Sequence, residues 1–342
     1  MSNDRSVTYV ALDAMGGDHA PAATVEGAIE AAREYGIGVY LVGREEEIRA
    51  ELGKYDTYGL ELPIINTDEV IEMDEHPATA VRSKKRASMT LALELVRDGE
   101  AVGAVSAGNS GAMLAASIFT LRRIRGVDRP ALGGIMPTRK GVSLVIDMGA
   151  NVDCKPEYLQ QFALMGAIYM NRIFRIRRPR IGLLSNGEEE SKGNQQVIEA
   201  HQLIKESAPT LGLNFIGNVE GRDIPAGKAD VVVCDGFVGN VVLKLSEGLG
   251  ENFRDLVREQ MAGPPPNKVA GAILRPGLRK IFKRMDYAEY GGVPLLGVNG
   301  AAIVAHGRSN ARAIKNALRV ARETAQTGVA AAIAEDLAKL AR

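Results

Sequence analysis

Short apolar runs, mostly of β-branched residues, alternate along the chain with longer segments whose apolar positions recur at helical spacing. Nine short runs are predicted as strands, and most intervening segments, such as the one with Leu91 and Leu95, are predicted as helices. This alternation indicates βαβ crossovers and places the chain in the α/β class, with a mostly parallel sheet covered on both faces. The predicted strands are 7–12, 38–43, 62–67, 101–107, 141–149, 180–185, 213–219, 229–235 and 293–298.

Six segments that follow predicted strands combine Gly with Asn, Asp or Ser. Glycine lets a backbone approach a ligand closely, and a following helix offers unpaired N–H groups and a positive dipole end. In open parallel sheets, ligands bind beyond the carboxyl ends of the strands. Any one segment could be an ordinary turn, but the six together predict a cleft that holds an anion. They are DAMGGD (13–18), SAGNSG (106–111), DMGAN (147–151), SNGEEESKGN (185–194), DGFVGN (235–240) and VNGAA (298–302).

Length and composition narrow the class of protein. The 342 residues suffice for one large α/β unit or two ordinary domains, and 46% hydrophobic and 25% charged residues are typical of globular proteins. Lys plus Arg and Asp plus Glu each total 42, so no overall charge points to nucleic acid. Two cysteines and four histidines argue against a disulfide framework and a Cys/His metal cage. No signal-peptide pattern and no apolar run of about 20 residues is evident, so a cytoplasmic location is expected.

The common nucleotide-binding and hydrolase motifs do not occur at the strand ends. AMGGDHA lacks the GxGxxG spacing, and neither GxxxxGK[ST] nor GxSxG is found. His19 directly follows the DAMGGD segment, next to Asp18, which makes it a site candidate. It could exchange protons with a substrate or merely order the loop.

Two polar residues beside glycines are further candidates. Lys192 lies in ESKGN and Asn240 in DGFVGN. An ammonium group suits phosphate, and an amide can donate to a developing oxyanion. Spacing alone equally allows a solvated loop lysine and a turn asparagine.

Residues 261–285 combine basic residues with apolar residues spaced three and four apart, and Pro276–Gly277 interrupts the run. The segment could be a helical hairpin that contacts a membrane, a dimer mate or an acidic carrier protein, or it could be an ordinary core helix with a solvated basic face. The basic residues are Lys268, Arg275, Arg279, Lys280, Lys283 and Arg284, and the apolar ones are Ala270, Leu274, Leu278, Ile281, Phe282 and Met285.

Five segments in order closely resemble the PlsX family of phosphate acyltransferases of bacterial phospholipid synthesis. They are LDAMGGDHAP (12–21), SAGNSGAM (106–113), RPAL (129–132), DMGANVDCKPEYL (147–159) and DGFVGNVVLK (235–244). The resemblance implies transfer of a long-chain acyl group from acyl carrier protein to inorganic phosphate, which forms acyl phosphate for phospholipid (phosphatidic acid) synthesis. It also implies a homodimer and an α/β/α fold similar to phosphotransacetylases and to isocitrate and isopropylmalate dehydrogenases. We expect one catalytic unit over 1–342, with a helical hairpin at 250–290.

This reaction suits the candidate residues. Phosphate is already an anionic nucleophile and a thiolate is a good leaving group, so neither a catalytic triad, nor a metal, nor a cofactor is required. We expect Lys192 to neutralise phosphate, Asn240 to orient the carbonyl or the nucleophile, and His19 to join them as a catalytic candidate. The expected substrate-binding residues form one wall (Asp13, Gly16, Gly17), a helix start that binds phosphate or the oxyanion (Asn109, Ser110, Gly111) and the opposite side (Asp147, Asn151).

Three other functions remain open from the residues. A phosphotransacetylase-like enzyme that uses acyl-CoA would need the same anion cleft. A metal- and NAD-dependent decarboxylating dehydrogenase could share the fold, because such enzymes bind NAD without the usual fingerprint. A peripheral membrane scaffold built around 261–285 would leave the six glycine segments unexplained.

Overall fold

A single eleven-stranded sheet is the centre of the computed structural model, which describes residues 7–285 and 289–340. Its strand order is β3-β2-β1-β4-β11-β10-β5-β6-β9-β7-β8. The predicted unit 1–342 and hairpin 250–290 also include residues 1–6, 286–288 and 341–342, which lie outside the described residues. The strands are β1 (Tyr9–Asp13), β2 (Gly38–Gly43), β3 (Ile64–Asn66), β4 (Gly103–Ser106), β5 (Ala131–Thr138), β6 (Gly141–Ile146), β7 (Arg180–Leu184), β8 (Asn214–Val219), β9 (Val231–Val233), β10 (Val293–Leu296) and β11 (Ala301–Val304).

Helices cover both faces of the sheet, as the alternation of the sequence predicts. Helix α6 is largely buried, and its Phe162 and Tyr169 are among the largest fully enclosed side chains. The helices are α1 (Ala22–Tyr35), α2 (Glu45–Leu52), α3 (Pro77–Ser83), α4 (Ser88–Arg97), α5 (Ser110–Thr120), α6 (Pro156–Phe174), α7 (Gln195–Leu211), α8 (Asp223–Ala226), α9 (Gly236–Ala262), α10 (Pro265–Met285), α11 (Ala311–Gln326) and α12 (Val329–Leu340). Within the described ranges, no helix combines the length and apolar character needed to cross a bilayer.

The sheet contains two groups of parallel strands that run in opposite directions. One group is β1 to β4 with β11, and the other is β6 to β9. Between them, β10 is antiparallel to β11 and to β5, and β5 is antiparallel to β6. The carboxyl ends of the two groups therefore lie at opposite edges of the sheet. We call the rim at the carboxyl ends of β1 to β4 and β11 the first edge, and the rim at the carboxyl ends of β6 to β9 the second edge. Neither term refers to an edge strand.

The six glycine segments follow strands of both groups, so the prediction that they line one cleft does not follow from strand direction and stays a prediction. DAMGGD and SAGNSG lie at the first edge, whereas DMGAN, SNGEEESKGN and DGFVGN lie at the second. VNGAA also lies at the second edge, because β10 points there, and it leads into β11 and not into a helix. Its Asn299 amide donates to the carbonyls of residues 121–123, which is a structural use.

All nine predicted strands are confirmed, with ends that shift by a few residues. The two that the pattern misses are β5 and β11. Strand β5 contains Gly133, Gly134 and Pro137, residues that weaken a strand signal, and β11 is a four-residue strand that begins with two alanines.

Helix α9 connects the two edges. Its first turn packs on the loop after β6, where Gly236 N–H donates to the Asn151 carbonyl at 2.7 Å. Glu251, about 18 Å farther along the axis from Gly239, pairs with Arg308 in the loop after β11 at 3.5 Å. Apolar residues spaced three or four apart form an exposed stripe on α9, with Phe237, Leu245 and Leu249 about 60% exposed. The stripe, hereafter the α9 stripe, comprises Phe237, Val241, Leu245, Leu249, Phe253 and Leu256.

Candidate active site

The loop after β1 is organised by a buried carboxylate. Asp13, 2% exposed, accepts hydrogen bonds from Ser88 Oγ and Ser106 Oγ, both at 2.6 Å, and from the Met15 N–H. Burial raises the pKa of Asp13 above its ordinary value, and the two serine hydrogen bonds oppose that rise. A Cβ at Gly16 would lie 2.6 Å from Asp13 Oδ2, so this position requires glycine. Asp13 therefore fastens its loop to β4 and α4.

Helix α5 begins beside this loop with an anion-binding geometry. Asn109 caps the helix, because its Oδ1 accepts the Ala112 N–H at 3.0 Å, while its Nδ2 donates to the carbonyls of Met73 and Glu75. The N–H groups of Ser110 and Gly111 have no acceptor in the described part of the chain. The Asn109 amide is thus used within the protein, whereas these N–H groups are available to bind an anion, as is common at a helix start.

His19 and Gly17 lie on the outer part of the first edge. His19 is exposed, and its carbonyl accepts the Ala23 N–H where α1 begins. Gly17 has φ +105° and packs on the Gly307 carbonyl, which accepts the Asp18 N–H at 2.8 Å. The loop that follows β11, residues 305–309, thus completes the first edge.

A second buried carboxylate organises the loop after β6. Asp147 is fully buried and accepts four backbone N–H groups. It also accepts the Asn151 amide at 2.9 Å, and that amide donates in addition to the Pro130 carbonyl at 2.8 Å. Burial raises the pKa of Asp147, while these hydrogen bonds lower it. The carboxylate and amide are consumed within the loop and shape it. The four donors are the N–H groups of Leu132, Gly149, Ala150 and Asn151.

Glycines let α9 pack directly on this loop. A Cβ at Gly239 would lie 1.8 Å from the Asp147 carbonyl oxygen, and one at Gly236 would lie 2.7 Å from that of Asn151. This contact explains the spacing of DGFVGN, whose Asp235 caps the helix by accepting the Val238 N–H at 2.8 Å. Asn240 follows in the exposed first turn, and its side chain lies beside Gly149.

Lys192 lies on the adjacent loop, after β7. Its side chain is exposed, and its backbone N–H donates to the Glu189 carbonyl at 3.0 Å. Asn218 anchors that loop. Its Nδ2 donates to the Glu189 carbonyl at 2.8 Å, and its Oδ1 lies 2.9 Å from Nδ1 of the buried His201. Because β6, β9 and β7 are neighbours, Lys192 and Asn240 emerge at the same edge.

The candidate residues therefore fall into two groups. Seven lie at the first edge and four at the second, and α9 joins the edges. The first group is Asp13, Gly16, Gly17, His19, Asn109, Ser110 and Gly111, and the second is Asp147, Asn151, Lys192 and Asn240.

Sequence reasoning missed Ser88 and the 305–309 loop. Ser88 begins α4, far in sequence from Asp13, and carries no local motif. His306 is half-buried, and its Nδ1 accepts the Arg308 N–H at 3.1 Å. Burial lowers the pKa of His306. In the sequence, this loop could have been recognised from Gly307, which lies between His306 and Ser309 after an apolar run.

One group of acids in the described chain has metal-like spacing. Glu188, Glu220 and Asp223 place carboxylate oxygens within 4.8 Å of one another. Lys228 Nζ lies 2.8 Å from Glu188 and 3.3 Å from Asp223, so an ammonium group already balances part of their charge.

Comparison with known proteins agrees with the fold and the loops. A family described as fatty acid synthesis protein matches residues 8–332. The phosphate acyltransferase of Pelotomaculum thermopropionicum is 52% identical over 317 residues, which cover 93% of this chain and 91% of that relative. The phosphate acyltransferase of Geobacter sulfurreducens is 51% identical over 328 residues, covering 96% and 94%.

A solved structure supports the predicted architecture. The phosphotransacetylase from Streptococcus pyogenes superposes with a TM-score of 0.65 at 19% identity, covering 94% of this chain and 95% of that one. The α/β/α prediction, with its likeness to phosphotransacetylases, is thus confirmed. The chain belongs to the PlsX family of phosphate acyltransferases, and it is an enzyme of the acyltransferase class.

Proposed function

We propose that the protein transfers a long-chain acyl group from acyl carrier protein to inorganic phosphate, forming acyl phosphate for phospholipid synthesis. The observation that supports this most directly is the second-edge arrangement of Lys192 and Asn240. An ammonium and an amide emerge there from neighbouring loops, and the buried Asp147 anchors the loop beside which Asn240 lies. Such a site binds an anion and stabilises an oxyanion without a nucleophilic side chain.

In this proposal, phosphate is the nucleophile. A phosphate oxygen attacks the thioester carbonyl, the C–S bond breaks, and the carrier thiol leaves as thiolate while the acyl phosphate is released. The thiol has an ordinary pKa of about 8.5, so little acid catalysis is needed. Positioning contributes roughly 7–11 kcal/mol to the lowering of the barrier, and one oxyanion donor contributes about 3–4 kcal/mol.

Each residue has a proposed role that fits its contacts. Lys192 neutralises the phosphate and Asn240 orients the carbonyl, while Asp147 and Asn151 hold the loop beneath them. At the first edge, the N–H groups of Ser110 and Gly111 bind an anionic part of a substrate. There Asp13, Gly16, Gly17 and Asn109 keep the loop geometry, and His19 is available as a proton carrier.

The decisive experiment follows free thiol release from a long-chain acyl carrier protein, with and without phosphate. Release that requires phosphate, together with trapping of acyl phosphate as a hydroxamate, is the expected result. Release without phosphate would instead indicate a thioesterase, and no release would refute the proposal.

Two rival enzymes are separated by their substrates. A phosphotransacetylase-like enzyme would use acyl-CoA as well as, or better than, the carrier protein, so the ratio of kcat/KM for the two donors distinguishes it. A dehydrogenase would change nicotinamide absorbance in the presence of Mg²⁺. A membrane scaffold would bind vesicles and turn over neither donor.

We propose further that the chain, one catalytic unit over 1–342, forms a homodimer through the α9 stripe. Six apolar side chains with one face in water are costly to leave exposed, and a second copy offers an identical face. Light scattering is expected to give a dimer mass for the wild type and a monomer mass for Leu245→Glu. A dimer with unchanged affinity in that variant would exclude the stripe.

The 250–290 hairpin is also proposed to contact the inner face of the cytoplasmic membrane. Helix α10 exposes Val269, Ile273 and Leu274 on a helix that carries Lys268 and Arg275. Such a helix favours anionic lipid surfaces, and each cation contributes about 1 kcal/mol. Flotation with anionic liposomes is expected for the wild type and reduced for Leu274→Glu, and equal flotation would rule out this contact.

A further inference from the structure

A cavity of about 320 Å³ opens beside the end of β10. Val96, Val102 and Ile333 contribute to a wall in which Asn299 and Thr324 are the only polar side chains among the lining residues. The Asn299 amide is already engaged with three backbone carbonyls. The volume lies at the lower end of the range of ligand pockets, about 300–1,000 Å³. Its chemistry suits a hydrocarbon and not an anion.

The cavity lies at the second edge, where Lys192 and Asn240 emerge. Leu295 in its wall pairs with Leu132 of β5, and the Leu132 N–H donates to Asp147 Oδ1 at 3.0 Å. From β10 to β6 is two strand spacings, about 10 Å along the sheet edge.

A second line of contacts joins the cavity to the same loop. A Cβ at Gly297, another wall residue, would lie 3.2 Å from Pro130 Cα, and the Pro130 carbonyl accepts the Asn151 amide at 2.8 Å. Two residue contacts therefore separate the cavity from the loop that supports the proposed thioester position.

We propose that this cavity houses the distal part of the long acyl chain. The inference rests on the proposed function, because it takes the thioester carbonyl to lie beside Asn240. A chain that starts there reaches the cavity only when it is long, so the cavity would determine chain-length preference. A butyryl group ends before the cavity, whereas a palmitoyl group enters it.

The test fills the cavity and leaves the candidate site untouched. Ala330 is half-buried in the cavity wall on α12, and Ala334 lies one turn farther along the same helix, exposed and outside the wall. Ala330→Leu is expected to lower kcat/KM for a palmitoyl donor about tenfold, while a butyryl donor is unaffected. Ala334→Leu, the matched control, is expected to change neither value. If Ala330→Leu has a much lower melting temperature than the wild type, Ala325→Leu is used instead, because it fills the cavity from α11.

Equilibrium binding of cis-parinaric acid, a fluorescent long-chain fatty acid, separates the two proposals. Binding is expected in the wild type, about tenfold weaker in Ala330→Leu and unchanged in Ala334→Leu. If the wild type forms no acyl phosphate but the binding results hold, the proposed reaction is wrong, and the cavity is still assigned as a site for a long hydrocarbon chain. If acyl phosphate forms and the palmitoyl-to-butyryl ratio is the same in Ala330→Leu as in the wild type, the cavity assignment is overturned and the reaction stands.

Discussion

The two edges of the sheet each contain a buried aspartate, but different hydrogen-bond donors hold the two carboxyl groups. At each edge a buried aspartate precedes a glycine loop: Asp13 is the last residue of β1, and Asp147 directly follows β6. Asp13 is held mainly by two serine hydroxyls from other elements, whereas Asp147 is held mainly by backbone N–H groups, three of them from its own loop. Hydroxyls can rotate to other acceptors, but backbone N–H groups cannot. The second edge is therefore expected to be the more rigid of the two.

Removing each carboxylate tests this contrast most strongly. Asp147→Ala leaves four backbone donors without their acceptor and is expected to lower the free energy of unfolding by about 4 kcal/mol. Asp13→Ala is expected to lower it by about 2 kcal/mol, because Ser88 and Ser106 can turn elsewhere. Urea denaturation measures both values, and an equal loss in the two variants would contradict the comparison.

The contact between α9 and the Asp147 loop gives the next largest effect. Gly239→Ala would place a Cβ 1.8 Å from a carbonyl oxygen that the backbone cannot move easily, so a loss of about 3 kcal/mol is expected. Gly248→Ala, on the same helix with open space around it, is the matched control and is expected to stabilise the protein by about 0.5–1 kcal/mol. Thermal denaturation of the two variants shows whether the first is destabilised and the second stabilised. A mild effect of Gly239→Ala would mean that α9 does not rest on this loop.

Lys192→Met tests whether the rigid edge is also the reactive one. Loss of the ammonium group is expected to reduce kcat about a hundredfold with little change in melting temperature. Lys140→Met, an exposed lysine on the β5–β6 turn, serves as the control with unchanged kinetics. Unchanged kinetics in Lys192→Met as well would remove Lys192 from the site.

The smallest expected effect is a pH dependence that originates at the first edge. Burial raises the pKa of Asp13, so the folded state binds a proton more readily than the unfolded state between the ordinary pKa, about 3.9, and the raised value. Stability from this group is therefore present below the ordinary pKa and is lost as pH rises through the raised one. Asp13→Asn removes the titration and is expected to flatten the loss of stability above about pH 4. A steeper loss of stability with rising pH in Asp13→Asn than in the wild type would mean that folding lowers the pKa of Asp13.

Sequence reasoning located the strands and the aspartates but not the edges on which they lie. The pattern placed Asp13, Asp147 and the Gly-Asn loops at strand ends, because those signals are local. The direction of β6 depends on β5, whose two glycines and Pro137 conceal it. Without that antiparallel strand, the sequence pattern predicts the same direction for every parallel strand. The contacts of Ser88 and Gly239 join residues 75 and 92 positions apart, which no local motif reports.

Helix α9 gives the molecule a mechanical link that the sheet does not provide. A helix is stiff along its axis, so α9 rigidly connects the loop after β6, at its first turn, with the loop after β11, at Glu251. A second copy bound on the α9 stripe, as proposed above, would hold both contacts together. In that proposed dimer, any effect of assembly on substrate affinity would be matched by an effect of substrate on assembly of the same factor.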